Sequence, residues 1–406
     1  MAQILEGIRI VDWSAHVQGP VATAMLGDLG AEIIKIEEPG RGDPLRGQQV
    51  VQGGRLTLQT GENYMFEANN RNKKGVTVNL KKQQGREIIY RLVEKSDVFI
   101  QNFRKGVAEA LGLSYETLCR FNPRIVYATG SGYGLEGPES GKPVNDQTVL
   151  ARSGMMEIIA APQMPPQYLV GAIADNMGAV VLSWGILAAL VARERLGIGQ
   201  RVDVSLLGSF MLLQRANLEA YLNLGKEIPR WSQKRAANPL NNYYECADKR
   251  WLFMGLSDSD RFWPDFCKAL GLEQLQTDPR FENALRRREN KTDLISILCQ
   301  VFSTKPSSEW VDIFSGCSDF PFNLVTRVSE FAQDPQVWAN QYIQEVKHPH
   351  SGLTLKHVGV PVTFSDTPVA FQGVAPGLGQ HTEEILSNIC GYSREEIGRL
   401  REEKVI

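Results

Sequence analysis

The chain has 406 residues, which is long for one compact core, and we therefore expect two domains. Acidic and basic residues nearly cancel, and the net charge of -2 comes without a basic block. This balance argues against a nucleic acid or an anionic membrane as the main partner. The six cysteines lie far apart without a C-x-x-C pair, which indicates neither a zinc site nor a disulfide framework and is typical of a reducing cytosol.

Neither the N-terminus nor the apolar stretches predict export or membrane insertion. The N-terminal sequence becomes polar within six residues and lacks the charged-then-apolar order of a secretory signal. The longest apolar stretch, residues 177–192, is interrupted by glycine and serine and is shorter than the ~20 residues that span a bilayer. We therefore expect a buried helix there and a cytoplasmic protein.

The first third of the chain alternates β-rich runs with helical patterns. The predicted strands are residues 8–11, 32–37, 76–80, 97–101 and 125–129, and a further strand is predicted at 201–206. Strands that alternate with helices indicate βαβ units and a mostly parallel sheet, so the predicted fold class is α/β. In such folds ligands bind at the carboxyl ends of the strands.

A long apolar helix is predicted from Asp175 to Leu196, and Gly197 supplies its C-terminal stop. Asp175 stands where an ordinary N-cap residue is expected. A carboxylate at the positive end of a buried helix also has a chemical use. We expect it to stay ionised at neutral pH, with free backbone N–H groups nearby that stabilise an oxyanion or a leaving thiolate.

The composition changes after Gly225, where tryptophan, tyrosine, phenylalanine and clustered charges become frequent. A hairpin turn is predicted between Tyr243 and Trp251. We therefore predict a large domain over residues 1–225, a small α+β domain over 226–329, and a return to the large domain over 330–406. The last part is predicted to hold one strand at 358–364 and polar helices after His381.

The glycine pattern and the histidines of this chain lack the sequence context that a nucleotide site or a metal site needs. Residues 132–137 match G-x-G-x-x-G after a predicted strand, but Pro138 and turn signals follow, so no helix N-terminus is available for a dinucleotide pyrophosphate. The five histidines have no metal-ligand spacing. We therefore predict neither a metal site nor a dinucleotide site.

The order of several short blocks resembles the class III CoA-transferase family, which includes formyl-CoA transferase, carnitine CoA-transferase and α-methylacyl-CoA racemase. The resemblance covers nearly the whole chain and depends on LEGIRIVD at 5–12, GP at 19–20, LGAEIIKIE at 29–37, GD at 42–43, NRNKK at 70–74, NF at 102–103, GYG at 132–134, AD at 174–175, GQRVDV at 199–204, DP at 334–335 and GLGQHT at 377–382.

This resemblance implies a Rossmann-like large domain, a small middle domain, and a dimer of interlinked rings. It also implies that Asp175 is the catalytic nucleophile, which is acylated and then carries CoA as a thioester. CoA esters and carboxylic acids are then substrates, and no cofactor is required. A homodimer and a heteromer with a paralogous subunit are both compatible with the sequence.

The resemblance also implies a set of residues around the ligand. Val17 or Gln18 and Tyr133 are predicted to line the active site, the choice between the first two depending on a one-residue slip in the alignment. Glu38 and Ala110 stand where formyl-CoA transferase has arginines near CoA, and the glycine-rich loop of that enzyme has no counterpart here. The predicted CoA-binding residues are therefore Arg41, Arg71, Asn72, Lys73, Asn102, Phe103, Arg104 and Lys105.

Two other functions share this fold or this resemblance. A racemase needs a histidine opposite the aspartate, whereas this chain has Asn145-Asp146 at that place. A non-catalytic subunit would not need to retain Asp175. The aromatic residues of the middle segment could line a bulky pocket, although most are expected in the core. A larger acceptor acid, for example a benzylsuccinate-like one, with succinyl-CoA as donor is the resulting hypothesis.

Overall fold

The computed structural model describes residues 2–51, 53–59, 61–317, 319–349, 352–369, 371 and 373–406. The chain divides into two compact units. The first contains the residues up to Met156 together with Tyr168–Glu227 and Pro335–Ile406, and the second contains Glu157–Gln167 and Ile228–Asp334. The domain boundaries predicted after residues 225 and 329 lie close to the points where the chain passes from one unit to the other, after Glu227 and after Asp334. Nothing in the sequence indicated that Glu157–Gln167 groups with the second unit.

The part of the chain before residue 228 alternates strands and helices. Its strands are β1 (Arg9–Trp13), β2 (Glu32–Glu37), β3 (Val50–Val51), β4 (Gly54–Arg55), β5 (Lys73–Thr77), β6 (Val98–Gln101), β7 (Val126–Ser131) and β8 (Gln200–Ser205). Its helices are α1 (Gln18–Asp28), α2 (Pro44–Gly47), α3 (Tyr64–Asn70), α4 (Gln83–Glu94), α5 (Val107–Ala110), α6 (Tyr115–Leu118), α7 (Asp146–Arg152), α8 (Met155–Ile158), α9 (Ile173–Leu196), α10 (Leu206–Leu213) and α11 (Arg215–Leu224).

A six-stranded parallel sheet forms the centre of the first unit, in the order β5-β2-β1-β6-β7-β8. The predicted α/β class is confirmed. Strand β5 starts at Lys73 rather than at residue 76, because its first lysine is buried against a carboxylate of β1 and does not face solvent as the polar sequence suggested. Strands β1, β2, β6 and β7 are buried almost throughout, as in sheets that are covered on both faces.

Alternate residues of the central strands pack into separate cores on the two faces. Val11 and Phe99 pack with Ile88 of α4 and with the C-terminal Leu386. Ile10 and Ile100 belong to the other core, together with the apolar sides of α1 and α9. The loops that leave β1, β6 and β7 therefore meet at one edge of a rigid sheet, beside the first turns of α1 and α9.

Helix α9 is longer and less buried than the sequence predicted. It has 24 residues, and its buried positions lie on one face, where it packs against α1, α7 and α10. The opposite face exposes Trp184 and Val191, 66% and 57% respectively. By length and composition alone α9 could cross a membrane, with a mean hydropathy of 1.6 in its most apolar window, but core helices of globular proteins also meet that criterion.

The second unit combines a small antiparallel sheet with helices. Its strands are β9 (Asn241–Glu245), β10 (Trp251–Gly255) and β11 (Phe322–Leu324), and its helices are α12 (Ser259–Leu270), α13 (Ala284–Glu289), α14 (Lys291–Phe302), α15 (Ser307–Ser315) and α16 (Val328–Phe331). The predicted hairpin is present as the pair β9-β10. Tyr244 and Trp263 are core residues, whereas Trp231, Trp251 and Phe253 are exposed. The middle aromatic residues therefore do not all line one pocket.

The C-terminal segment from Pro335 adds α17 (Pro335–Ala339), the hairpin β12 (Ile343–Lys347) with β13 (Thr354–Val358), α18 (Thr382–Asn388) and α19 (Arg394–Glu402). The strand predicted at residues 358–364 is wrong, because β13 ends at Val358. The two predicted polar helices are confirmed. Gly75 of the sheet edge exchanges hydrogen bonds with His381, which satisfies backbone groups that a parallel edge strand would otherwise leave open.

Candidate active site

The loop that follows β1 is held in place from both sides. Asn102, just after β6, donates its amide to the Ala15 carbonyl at 2.8 Å and accepts from the Ala15 N–H at 2.9 Å. Lys35 of β2 donates to the Ser14 carbonyl at 3.0 Å. His16, which follows Ala15, has φ 65°, a left-handed conformation that costs energy for any residue except glycine. The loop is therefore rigid where it leads into α1.

A buried network of charges lies under this loop. Asp12 accepts from Lys73 at 2.8 Å and from Thr23 at 2.7 Å, and neither Asp12 nor the Lys73 side chain reaches solvent. Burial opposes the charge of Asp12, but Lys73 and Lys35 together hold its pKa below the ordinary value. Burial lowers the pKa of Lys73 to about 8, although Asp12 favours its charge. Lys35 pairs with the buried Asp43 at 3.1 Å.

Asp175 is the third residue of α9 and is not its N-cap. The residue at the N-cap position is Ala172, with φ 54° and no capping side chain. The cap comes from another helix: the buried Oδ1 of Asp146 accepts from the Ala174 N–H at 2.7 Å and from the Asp175 N–H at 3.2 Å. Those two N–H groups are therefore not free to stabilise an oxyanion, contrary to the sequence-based expectation.

The carboxyl group of Asp175 is half-buried and lies near a second carboxylate. Burial, and then the charge of Asp146, raise its pKa to about 7. The expectation that Asp175 stays ionised at neutral pH is met only in part, because loss of solvent and a like charge outweigh the favourable helix position and leave a fraction of the carboxyl groups protonated. A carboxylate that titrates near neutrality in a ligand-binding fold is a candidate catalytic group.

Gln18, at the start of α1, reaches toward the same helix. Its side chain is wedged between two glycines: a Cβ added at Gly130 would lie 2.6 Å from its oxygen, and one added at Gly178 would lie 3.0 Å from its nitrogen. Gln18 is 5% exposed, and its Nε2 has no hydrogen-bond partner within the described ranges. Because buried donors are normally satisfied, this amide is a candidate substrate contact. Val17 packs as the buried N-cap of α1 instead.

Tyr133 packs near the start of α9. It belongs to the apolar cluster that includes Ala174, Leu206 and Phe210. The loop around it has Gly134 and Gly137 at positive φ and contains no helix before α7. The absence of a helix at the G-x-G-x-x-G pattern agrees with the expectation that it does not bind a dinucleotide.

Three of the predicted CoA-binding residues are used inside the fold. Arg71 is buried and makes two hydrogen bonds to Asp28, at 2.6 and 3.1 Å. Asn72, with φ 63°, donates to Asp28 and accepts from the Gly373 N–H at 2.7 Å. Lys73 is the buried partner of Asp12 described above. A buried, paired cation is not available to a solvated phosphate, so Arg71 is a poor candidate for a phosphate contact. The assignment of Asn72 and Lys73 to CoA stays a prediction.

Other predicted CoA contacts lie at the carboxyl edge of the sheet. Arg41, Arg104 and Lys105 are exposed, and Lys105 donates to the Leu135 carbonyl at 2.6 Å. Phe103 packs on Trp13 with ring centroids 4.4 Å apart. Asn102 has both amide atoms engaged with Ala15. Asn102 and Phe103 therefore shape the edge of the sheet. The side chains that stay exposed for a ligand are the cations Arg41, Arg104 and Lys105.

The contact of Asp146 with the first turn of α9 was not predicted from the sequence. Nothing local marks it, because its partners lie 28 and 29 residues further along the chain. Its neighbour Asn145 is the N-cap of α7 and accepts from the Thr148 N–H at 3.1 Å. An amide used as a cap supplies no base for proton exchange, which argues against racemase chemistry. In the part of the chain that the structure describes, no group of three or more metal-ligating side chains occurs.

Residues 5–382 match CoA-transferase family III, and the chain belongs to this family. It is an enzyme of the CoA-transferase class. The (R)-2-hydroxy-4-methylpentanoate CoA-transferase of Clostridioides difficile is 32% identical over 99% of both chains. The succinyl-CoA:glutarate CoA-transferase of Homo sapiens is 32% identical over 98% of this chain and 88% of its own. A CAIB/BAIF family protein from Brucella suis superposes with a TM-score of 0.83 at 25% identity, over 96% and 100% of the two chains.

Proposed function

We propose that this protein moves CoA from an acyl-CoA donor to an acceptor carboxylate through covalent intermediates on Asp175. The observation that carries the proposal is the half-buried Asp175 carboxyl at the start of α9, together with the unpartnered Gln18 Nε2, which lies against Gly178 one turn further along the same helix. A nucleophilic carboxylate needs partial removal from water and a neighbouring donor for the charge that develops on the attacked carbonyl. Gln18 is the donor that we assign to this task.

Each half of the reaction transfers an acyl group and then a thiolate. An Asp175 oxygen attacks the thioester carbon, the C–S bond breaks, and a mixed anhydride and the CoA thiolate result. The thiolate attacks the Asp175 carbonyl, the C–O bond breaks, and the donor acid leaves as its carboxylate. The acceptor carboxylate repeats both steps in reverse order, which returns Asp175 to its free form. The partial burial of Asp175 and the rigid loop limit the access of the water that would hydrolyse the anhydride.

We propose that CoA binds across the carboxyl ends of β1, β6 and β7. We further propose that the enzyme acts in the cytosol and needs no cofactor. Arg41, Arg104 and Lys105 are the exposed cations at this edge, and they are our candidates for the phosphates. The names of two relatives refer to a branched hydroxy acid and to glutarate. They support the proposal that the acceptor of this enzyme is a small organic acid. Succinyl-CoA is the donor that we propose, with a benzylsuccinate-like acid retained as a bulkier acceptor.

The test is a transfer assay with succinyl-CoA and a panel of acids, in which each new acyl-CoA is identified by mass spectrometry. We expect product with at least one acid and none without enzyme. In the same assay Arg104→Glu should raise the KM for the acyl-CoA, because it reverses a charge at the proposed phosphate site. Absence of any acyl-CoA product across the panel would contradict the proposed function.

The pH dependence of the first half-reaction should report the pKa of Asp175. The nucleophile is the carboxylate, so kcat/KM should fall about tenfold per pH unit below 7 and reach a plateau above about 8. Asp146→Asn removes the neighbouring charge but keeps an oxygen for the cap, so the midpoint should move to lower pH. Measurement of kcat/KM for the acyl-CoA between pH 5 and 9 tests both points. A midpoint that moves upward in this variant would contradict the assigned coupling.

The exposed face of α9 continues onto the next two helices. Large apolar side chains are exposed on α9 and also on α10 and α11, where Leu212 and Leu222 are 50% and 73% exposed. A protein surface rarely presents so many apolar side chains on adjacent helices unless another protein covers them. We propose that a second copy of the chain covers this face, with a paralogous subunit as the alternative occupant.

Trp184→Glu together with Leu222→Glu is expected to shift the purified protein from dimer to monomer. The reason is that burial of two carboxylates without partners opposes association. Light scattering coupled to size-exclusion chromatography measures the mass against the 45.2 kDa of one chain. The matched control is Leu285→Glu, because Leu285 is 63% exposed in the second unit. A wild-type mass of one chain would refute the dimer.

A further inference from the structure

Arg152, the last residue of α7, is a cation that the mechanism above does not use. Its guanidinium lies 4.4 Å from the centroid of the Tyr133 ring. It also forms an ion pair with Glu139, which in turn pairs with Lys142. The Arg152 side chain is 44% exposed, so its charge is not buried in the fold. Stacking on an aromatic ring holds the planar guanidinium in one orientation, with its N–H groups directed outward around the edge.

The position of α7 brings this guanidinium toward the start of α9. Asp146, the first residue of α7, bonds the N–H groups of Ala174 and Asp175. Arg152 follows six residues later, a rise of about 9 Å along the helix. Side chains of a helix lean toward its N-terminus, so that of Arg152 points back along α7. Tyr133, on which it stacks, packs in the same cluster as Ala174.

We propose that Arg152 binds the distal carboxylate of a dicarboxylic substrate while the reacting carboxyl group sits at Asp175. In the free protein Glu139 forms the ion pair with the guanidinium, and the carboxylate of the substrate displaces Glu139 when it binds. Arginine is suited to this because its fork matches a carboxylate with two parallel hydrogen bonds. Donor and acceptor acids occupy the same place in succession, so one arginine selects both. This inference rests on the proposed function and gives its substrate class: acids with a second carboxylate.

The experiment compares two exchange reactions that differ by one group. The first is exchange of CoA between succinyl-CoA and isotope-labelled succinate, and the second is the same exchange between butanoyl-CoA and labelled butanoate. The acyl chains have the same number of carbons, and a methyl group replaces the distal carboxylate. We expect wild-type kcat/KM to favour the succinyl pair. Arg152→Met should lower succinyl exchange ~10- to 100-fold, the effect of losing a hydrogen-bonded charged contact, and change butanoyl exchange less than about threefold.

The matched control is Arg280→Met. Arg280 lies 4.9 Å over the ring of Phe281, pairs with Asp278 at 2.8 Å and is 49% exposed, so it repeats the surroundings of Arg152 in the second unit. Its replacement should leave the ratio of the two exchanges unchanged. Arg152→Lys keeps the charge without the planar fork and should give an intermediate ratio. Glu139→Gln should lower the KM for succinate, because it removes the competing carboxylate.

The outcomes separate this inference from the proposed function. If the wild-type enzyme exchanges no acid at all and Asp175 is never acylated, the proposed function fails. If the wild-type enzyme transfers CoA, two results refute the role of Arg152. In the first, Arg152→Met and Arg152→Lys lower succinyl and butanoyl exchange equally; in the second, they lower neither exchange. Preference of the wild type for butanoate over succinate would refute it as well.

Discussion

Asp175→Asn is expected to lower the rate of CoA transfer by at least ~1000-fold, because the amide cannot form the anhydride that the mechanism requires. The fold should survive. The cap of α9 is supplied by Asp146 to backbone N–H groups, and these groups remain in the variant. We expect the free energy of unfolding to change by no more than about 1 kcal/mol. Transfer kinetics and urea unfolding of the same preparation measure the two quantities.

A chemical trap gives an independent readout of the same step. Hydroxylamine attacks anhydrides and thioesters but leaves free carboxylates unchanged, so incubation with acyl-CoA should convert Asp175 to a hydroxamate that peptide mass spectrometry detects. The matched control is Asp293→Asn, since Asp293 is likewise the third residue of its helix, α14, but is exposed. That variant should retain both transfer and trapping. Transfer by Asp175→Asn, together with an unmodified peptide in the wild type, would disprove the covalent mechanism.

Lys73→Met is expected to destabilise the protein by about 3–5 kcal/mol, because it removes the ion-pair partner of Asp12 in the core. Asp12 and the Lys73 side chain are fully buried, and the lysine also donates to the Pro20 carbonyl and to Asn70, both at 2.9 Å. Equilibrium unfolding in urea measures the loss. The double variant Asp12→Asn with Lys73→Met should recover part of it, since no buried charge is then left without a partner.

The control for this pair is an exposed one. Arg286 and Glu289 on α13 pair at 3.0 Å with about half of each side chain exposed. Arg286→Met should change the free energy of unfolding by less than about 1 kcal/mol, because solvent screens the pair. A similar small change in Lys73→Met would show that the buried network does not stabilise the fold.

The sequence by itself was sufficient for the α/β class, for most strands of the sheet, and for the position of Asp175 at the start of a long helix. These properties depend on periodicity and on local stop and start signals, which nearby residues carry. The short blocks also indicated the family. In the same way, Pro138 and the turn residues after Gly137 predicted that no helix starts at the G-x-G-x-x-G pattern, and the structure has none between residue 132 and α7.

The tertiary structure alone decided what surrounds those elements. Asp146 caps α9 from a position 29 residues away, and burial together with the charge of Asp146 raises the pKa of Asp175, so neither effect could be read from the residues around Asp175. The strand pairing of β1, β2 and β5 buried Lys73 against Asp12, although a lysine pair in sequence suggests a solvated ligand contact. Burial, charge coupling and the loss of water are set by residues that are distant in sequence, which is why local patterns placed Asp175 at a helix start but did not predict its environment.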